Sequence, residues 1–368
     1  MYKTKIRFLM LAVCIALCSI FPAHAFARAE LPPIRPRTSL TDDDLDRTIR
    51  AKGCVLIDAS DPDTLLYAKN PDEPIIPAST TKIMTCILAI EMVDDLNTIV
   101  YVPHEATKLG PTNSTMGLVA GESLPMIDLL YGLMLPSGND AANAIAYYIA
   151  GGIDEFAVIM NEKAEEIGMT NTTFATPSGT YRNRATSTAR DMARLAAYAM
   201  KNDVFRKVVS TKTYTVPSND VRKHDLNLRN STRLISASET SRFYYEYAIG
   251  GKTGATSAGG NCQIAMAMKD GHLLIVSLMG ARLRDGESHN GVAGLCFLDA
   301  IELFEKAYTM LDLSDNDRPK NDRPVCLQER SFCQQPRPNQ WIMGEACASK
   351  PWLTTLSLER KATLLKNR

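Results

Sequence analysis

The sequence predicts an α/β domain whose antiparallel sheet is assembled from both ends of the chain around a helical insertion. Two observations carry this. Short runs of apolar and β-branched residues, bounded by turn residues, stand near 52–69 and again near 243–279. Between them, from about 95 to 240, apolar residues recur mostly at helical spacing.

Taken in order, residues 1–27 have the parts of a secretory signal. Lys3, Lys5 and Arg7 open it and an apolar run follows from Phe8 to Phe21. Ala23-His24-Ala25 and Ala25-Phe26-Ala27 offer small-x-small cleavage points. The run is short for a bilayer span, and no later run is long and apolar enough to cross one. Residues 28–49 contain Leu31-Pro32-Pro33-Ile34-Arg35-Pro36 and predict an extended linker. Strands are expected at 52–59 and 64–69, joined by the turn Ser60-Asp61-Pro62-Asp63. An amphipathic helix opens at Ser79, with Ile83, Met84, Ile87 and Leu88 on its apolar stripe. A second helix over 124–135 stops at Pro136-Ser137-Gly138-Asn139, and Asp140 is placed to cap the next, over 141–150. Further helices are expected at 156–167 and 187–200. Strands return at 243–253, 261–269 and 273–279, with Lys269-Asp270-Gly271-His272 as a hairpin turn. A closing helix over 297–310 ends a predicted domain of 50–311. The tail, 312–368, is polar and contains prolines. Its weakly amphipathic, basic end over 352–368 suits either solvent or peripheral contact with a membrane surface.

Composition excludes some function classes. The chain has 41 basic and 41 acidic residues. Loss of the signal removes only basic ones, so the remainder is slightly acidic, unlike a nucleic-acid binder. Of nine cysteines, Cys14 and Cys18 belong to the signal, which leaves an odd number. Cys54, Cys86, Cys262 and Cys296 lie in apolar patterns, as buried thiols do. Cys326, Cys333 and Cys347 lie in the polar tail and are the better disulfide candidates in an exported protein. There is no Cys-x-x-Cys, and His104-Glu105 lacks the second His of a zinc motif, so no metal site is expected.

Three short stretches carry chemistry. Ser79 stands at a helix start with Lys82 one turn on, on the same face. Ser79 is an N-cap in one reading. In the other it is a nucleophile, with Lys82 as its proton acceptor if desolvation lowers the amine's pKa. Ser137-Gly138-Asn139 occupies a tight connection between helices, where turn chemistry alone would explain it. Lys252-Thr253-Gly254 follows Gly250-Gly251 and invites a phosphate-loop reading. That motif needs a glycine where Glu246 stands, and a helix afterwards where strands follow, so the reading fails.

In this order, Ser79-x-x-Lys82, Ser137-Gly138-Asn139 and Lys252-Thr253-Gly254 resemble the motif trio of the penicillin-recognising serine enzymes. The surroundings narrow the likeness. Ala78 to Thr85, Ser137 to Ala142, Lys252 to Gly259, Leu129-Leu130-Tyr131-Gly132, Met160-Asn161 and Asp191-Met192-Ala193 look like low-molecular-weight D-alanyl-D-alanine carboxypeptidases. The resemblance covers about 50–310. The tail does not resemble the all-β second domain that many members carry.

The resemblance implies a β-lactamase/transpeptidase-like fold and removal of the terminal D-alanine from peptidoglycan pentapeptides through an acyl-serine, with β-lactams as inhibitors. It places the enzyme outside a bacterial cytoplasmic membrane and needs neither cofactor nor metal. Ser79 would be the nucleophile and Lys82 its base. The backbone N–H groups of Ser79 and Ala255 would hold the oxyanion. Ser137 would relay a proton to the leaving amine, and Asn139 would hold the substrate's peptide carbonyl. Lys252 and Thr253 would bind the terminal carboxylate, Lys252 also helping to keep Lys82 neutral. Gly254 would let the substrate backbone lie along the strand. Arg282 or Arg284 would add a second carboxylate contact, solvent exposure being the ordinary alternative. A D,D-endopeptidase, a β-lactamase or a catalytically silent penicillin-binding protein would carry the same motifs.

Overall fold

The structure, a computed structural model, describes residues 43–180, 185–282 and 289–316. The chain divides into two units, Met1–Pro319 and Lys320–Arg368, and every described residue belongs to the first. The chain begins with α1 (Asp43–Thr48), β1 (Gly53–Asp58) and β2 (Asp61–Lys69), then a 3-10 turn (Ala78–Thr81) that runs into α2 (Lys82–Met92). Next come β3 (Ile99–Tyr101), α3 (His104–Thr107), β4 (Ser123–Pro125), α4 (Met126–Met134), α5 (Asn139–Ala150) and α6 (Ile153–Glu166). α7 (Ala189–Ala199), α8 (Asp203–Ser210), β5 (Thr213–Val216), β6 (Leu226–Arg229) and α9 (Arg233–Ser236) complete the middle. The described part closes with β7 (Ala248–Thr256), β8 (Gly260–Lys269), β9 (His272–Ala281) and α10 (His289–Asn316).

The sheet unites both ends of the sequence, as expected. Its order is β2-β1-β9-β8-β7, with every pair antiparallel. β1 is wholly buried and nearly all apolar, as a central strand covered on both faces must be. Register places Val55 opposite Ser277, and Lys252 opposite Ile264. Alternation then separates two cores. Val55, Ile57, Ile264, Met266, Ile275 and Met279 face the helical region, and Leu56, Ala265, Ala267, Leu274, Val276 and Leu278 face α1 and α10. The result is three layers. β7 is a sheet edge, and the helical region lies alongside its inner face.

At the centre of the helical layer is α2. From Ile83 to Ala89 it is buried on every side, without the solvent face its amphipathic pattern predicts. A helix enclosed all round reads as apolar all round, and the sequence from Ile83 to Ile90 does so apart from Thr85. Each large side chain buried there contributes roughly 1.5–3 kcal/mol. This gives the residues at its start a fixed platform.

Several expectations need correction. The segment taken as linker contributes α1, because Leu45 and Ile49 pack into the second core with 0% and 1% exposure. The first hairpin turns at Ala59-Ser60, since the Asp58 carboxylate accepts both the Ser60 N–H (2.9 Å) and its hydroxyl (2.6 Å). Asp58 then pairs directly with Asp61, and Pro62 is tolerated because β2 is an edge strand. The helix expected from 124 starts at Met126, because Ser123–Pro125 pairs with β3. β7 begins at Ala248, not 243. Phe243 and Tyr245 leave the ladder to anchor in the second core, where the Tyr245 ring stacks on Phe304 with centroids 5.8 Å apart. α8 and the small β3–β4 and β5–β6 pairs were not expected. The last hairpin agrees with its sequence: Asp270 (φ 49°) and Gly271 (φ 85°) give two successive left-handed residues. Cys54, Cys86, Cys262 and Cys296 are buried free thiols. The closing helix runs on to Asn316, into the segment taken as tail; the signal, most of the linker, Arg284 and the rest of the tail, with Cys326, Cys333 and Cys347, lie outside the described residues.

Candidate active site

Ser79 lies in the 3-10 turn, half-buried, and α2 begins only at Lys82. Its hydroxyl caps nothing: neither the turn nor the helix has a side-chain cap. The capping explanation of this serine therefore fails. The residue before it, Ala78, is held at φ 49°. A non-glycine residue there costs on the order of 1–3 kcal/mol and persists only when its surroundings impose it. Here the surroundings do. Gly179 packs against the turn so closely that a Cβ on it would stand 1.8 Å from the Ala78 carbonyl oxygen.

Lys82 is fully buried, and its amine has three neighbours. Nζ lies 2.9 Å from Ser79 Oγ, 2.7 Å from Asn139 Oδ1 and 2.9 Å from the Ser178 carbonyl oxygen. The last two can only accept. Asn139 is oriented by its own amide, which donates to Asn113 Oδ1 at 2.6 Å. A neutral amine has two N–H bonds and one lone pair. The two acceptors take the N–H bonds, so the lone pair is left facing the Ser79 hydroxyl. The electrostatics agree: burial first, then the nearby Lys252 ammonium, pulls the Lys82 pKa well below the ordinary lysine value, against a smaller opposing effect of Asp140. An amine so placed is able to accept a proton from the Ser79 hydroxyl.

Ser137 lies between α4 and α5 at φ 67°, a second non-glycine residue in the left-handed region. Its hydroxyl accepts from Lys252 Nζ at 2.9 Å, which leaves its own proton for another acceptor. Lys252 also donates to the Thr253 carbonyl at 2.8 Å, and burial brings its pKa down to about 7. Thr253 Oγ1 lies 3.1 Å from Ser231 Oγ. Ser79, Thr253, Gly254 and Ala255 are at least partly accessible, whereas Lys82, Ser137, Asn139 and Lys252 lie buried behind them. The structure therefore brings all three sequence motifs together where α2, the α4–α5 connection and the β7 edge meet. Of the two arginines weighed for a second carboxylate contact, Arg282 is exposed.

Gly254 has a structural reason of its own, besides the substrate-based one expected of it. A Cβ there would stand 2.8 Å from the Ser79 nitrogen and 3.0 Å from that of Thr80. Its smallness lets β7 close on the Ser79 turn.

Sequence reasoning missed the supports. Asp140 does not cap α5, whose N-cap is Gly138. Its buried carboxylate accepts the N–H of its own neighbour Ala141 at 2.9 Å and also those of Met116, Gly117 and Leu118 at 2.9–3.0 Å, tying that loop to the start of α5. That loop continues to Glu122, which pairs with Arg222 at 3.1 Å, both side chains fully buried. On the other side, Pro177 accepts the Thr85 hydroxyl at 2.6 Å, which holds the Ser178 carbonyl against Lys82. Pro177-Ser178-Gly179-Thr180 reads in sequence as an ordinary turn. Only Gly179, at φ 73°, hints at more.

Comparison with known proteins agrees with this geometry. The chain is 35% identical over 235 residues to D-alanyl-D-alanine carboxypeptidase DacF of Bacillus subtilis, covering 63% of this chain and 57% of that protein. It is 33% identical over 252 residues to D-alanyl-D-alanine carboxypeptidase DacC of Escherichia coli, covering 66% of this chain and 60% of the relative. The chain thus spans somewhat over half the length of these two relatives. The crystal structure of a Streptomyces DD-transpeptidase superposes with a TM-score of 0.63 at 28% identity, covering 74% of this chain and 99% of that one. The family described as D-alanyl-D-alanine carboxypeptidase matches residues 38–283. With the motif trio gathered at one place and the family matched across the sheet and its helical insertion, the chain belongs to the D-alanyl-D-alanine carboxypeptidase family of serine peptidases.

Proposed function

We propose that this protein is a serine-type D-alanyl-D-alanine carboxypeptidase, acting on the pentapeptide stems of bacterial peptidoglycan and acylated by β-lactams. One observation carries the reading: the Lys82 amine has two of its positions taken by pure acceptors and the third directed at Ser79 Oγ.

The mechanism follows from that arrangement. Ser79 Oγ attacks the carbonyl carbon of the penultimate D-alanine while its proton passes to the Lys82 lone pair. The backbone N–H groups of Ser79 and Ala255 receive the oxyanion, Ala255 lying on the edge strand of the sheet. The carbon–nitrogen bond then breaks as the proton held by Lys82 passes by way of the Ser137 hydroxyl to the leaving amine, which frees the Lys82 lone pair; Lys252 holds the Ser137 oxygen. Lys252 and Thr253 meet the carboxylate of the departing D-alanine, and Asn139 the peptide carbonyl on the acyl side. Water then hydrolyses the acyl-serine, with Lys82 again taking and returning a proton. None of these steps calls on a metal or cofactor.

The amino-terminal segment is read as a secretory signal that would carry the enzyme outside the cytoplasmic membrane, and the tail as positioning it there, its basic end either in solvent or in peripheral contact with the membrane surface. No helix among the described residues is long and apolar enough to cross a membrane. Incubation of the full chain with a D-Ala-D-Ala peptide, followed by mass spectrometry, tests the proposal. Loss of a single D-alanine, abolished by Ser79→Ala, is the expected result. An intact peptide, or equal activity in Ser79→Ala, overturns it.

A further inference from the structure

The Lys82 amine owes its direction to a hydrogen-bonded chain that begins outside the three motifs. The loop between α3 and β4 turns at Gly110–Asn113. There the Gly110 carbonyl accepts the backbone N–H of Asn113 at 3.1 Å and its side-chain Nδ2 at 3.1 Å. Asn113 Oδ1 in turn accepts from Asn139 Nδ2 at 2.6 Å, and Asn139 Oδ1 accepts from Lys82 Nζ at 2.7 Å. The Lys82 lone pair is left to Ser79 Oγ, 2.9 Å away.

This chain has a polarity, and its outer end sets it. A carboxamide presents donors on its nitrogen and an acceptor on its oxygen. A backbone carbonyl only accepts, so the Asn113 atom that faces Gly110 has to be the nitrogen, and the atom that faces Asn139 has to be the oxygen. The Asn139 nitrogen is thereby turned toward Asn113 and its oxygen toward Lys82. If Asn139 turned over, its N–H would meet the Lys82 lone pair and hold it. The amine would then present an N–H bond to Ser79 and could not take the serine's proton.

Among the described residues, Asn113 is the one side chain that accepts from the Asn139 amide. The backbone does not make the choice, because the Asn139 N–H donates to the Ser114 carbonyl at 2.8 Å whichever way the side chain faces. The loop that carries Asn113 is itself fixed. Asp140 takes the N–H groups of Met116, Gly117 and Leu118, and the loop ends at the buried Glu122–Arg222 pair. An acceptor held in this way is preorganised. We propose that Asn113 is a positioning residue: it fixes the orientation of the Asn139 amide and, through it, keeps the Lys82 lone pair on Ser79. This inference rests on the proposed role of Lys82 as the base and deepens it, since Asn113 belongs to none of the three motifs.

The test compares the pH profile of kcat/KM for a D-Ala-D-Ala peptide in the wild type, Asn113→Leu and Asn113→Asp. Leucine is of similar size and cannot accept a hydrogen bond, so Asn139 is released to turn over. The pH-independent kcat/KM should then fall about 30-fold, part of the roughly 10²–10⁴ that a positioned general base contributes. The acidic limb should move to lower pH, because a Lys82 ammonium would face a donor in place of an acceptor. Asn113→Asp puts an oxygen in the same place and keeps the polarity, so the pH-independent value should stay within about threefold of the wild type. Its added negative charge should move the acidic limb the other way, to higher pH. Lys252 and Asp140, the other charged groups that act on Lys82, are the same in all three proteins.

A loss of folded protein lowers a profile without moving its limb, so limb shifts of opposite sign are a readout that a structural role does not give. An unmoved acidic limb in Asn113→Leu, or equal losses in the two variants, overturns the proposal. Asn113→Ala, which gives Asn139 no side-chain partner, should lose at least about threefold and decides the matter where leucine prevents folding. Acylation by benzylpenicillin, followed across the same pH range, asks only for a nucleophilic Ser79. A wild type that takes penicillin but leaves the peptide intact overturns the carboxypeptidase reading, and the positioning role then stands or falls on the same limb shifts in acylation.

Discussion

Replacing Gly254 with alanine would put a methyl group where β7 meets the Ser79 turn. Its Cβ would lie 2.8 Å from the Ser79 nitrogen, 3.0 Å from the Thr80 nitrogen and 3.1 Å from the Ala78 Cβ. Two of these are backbone atoms, and the third belongs to a residue already held at φ 49°, so no side chain can swing aside. Ordinary contacts between carbon atoms lie at roughly 3.5–4.0 Å, so strand and turn must separate by about 0.5–1 Å. Overpacking of this kind costs about 1–3 kcal/mol of stability, a fall of several degrees in Tm for a domain of this size. Catalysis should suffer more. The turn and the strand each supply one of the proposed oxyanion donors, and a displacement of about 1 Å can cost 10²-fold. Gly254→Ala is therefore expected to lose about 100-fold in kcat with little change in KM, because the damaged contact is made in the transition state. D-alanine release measured beside thermal unfolding separates the two effects. A variant within about threefold of the wild-type kcat would refute the claim that the approach of β7 to Ser79 sets the site.

Three further outcomes follow from the same geometry. Lys82→Ala should lose acylation by substrate and β-lactam about 10³-fold while keeping its folded circular-dichroism spectrum, since what is removed is a proton acceptor; intact-protein mass spectrometry checks the adduct. The pH profile of kcat/KM should rise as Lys82, held well below the usual lysine range, loses its proton and becomes a base. It should fall again above about 7, where Lys252 loses the charge that meets the substrate carboxylate. A profile flat across the neutral range contradicts both assignments. Asp140→Ala strands the buried N–H groups of Met116 and Leu118, while that of the exposed Gly117 turns to water, and at roughly 1–3 kcal/mol for each buried donor it should lower stability by about 2 kcal/mol or more, read by urea unfolding.

Much of this protein is legible in its sequence because the informative signals are local. The strands at both ends follow alternation and turn residues, and the Asp270-Gly271 hairpin follows from the two residues that tolerate left-handed backbone. Helix spacing sets Lys82 one turn from Ser79, but Ser137, Asn139, Lys252 and Thr253 stand out in the sequence only through the resemblance to the penicillin-recognising serine enzymes. What stayed hidden is held by distant or backbone atoms. The Ser178 carbonyl that completes the Lys82 amine comes from 96 residues away, and a carbonyl carries no residue type to recognise. Asp140 looks like a cap because it stands where caps stand, yet Asn139 already belongs to the helix, and besides the Ala141 N–H the carboxylate takes three N–H groups of another loop. Tyr245 stands in a run that alternates like a strand, but the second core captures its ring before the ladder begins. Gly254 is the clearest case. Its type was legible as a need for smallness, but the neighbour requiring it was not.

The central claim is that Ser79 is the nucleophile and that its acyl group leaves only by a slow route when the leaving amine is tethered. Between Asn139 and Lys252 no glutamate stands two residues before a Leu-Asn pair, the setting of the deacylating base in class A β-lactamases. A cleaved β-lactam also keeps its amine attached, in the path of water. The most direct measurement is intact-protein mass spectrometry after addition of benzylpenicillin, followed by peptide mapping. One adduct per chain, on the peptide that contains Ser79, persisting long after a D-Ala-D-Ala peptide has turned over, is the expected result. A label on any other peptide, or rapid repeated hydrolysis of the penicillin, would contradict it.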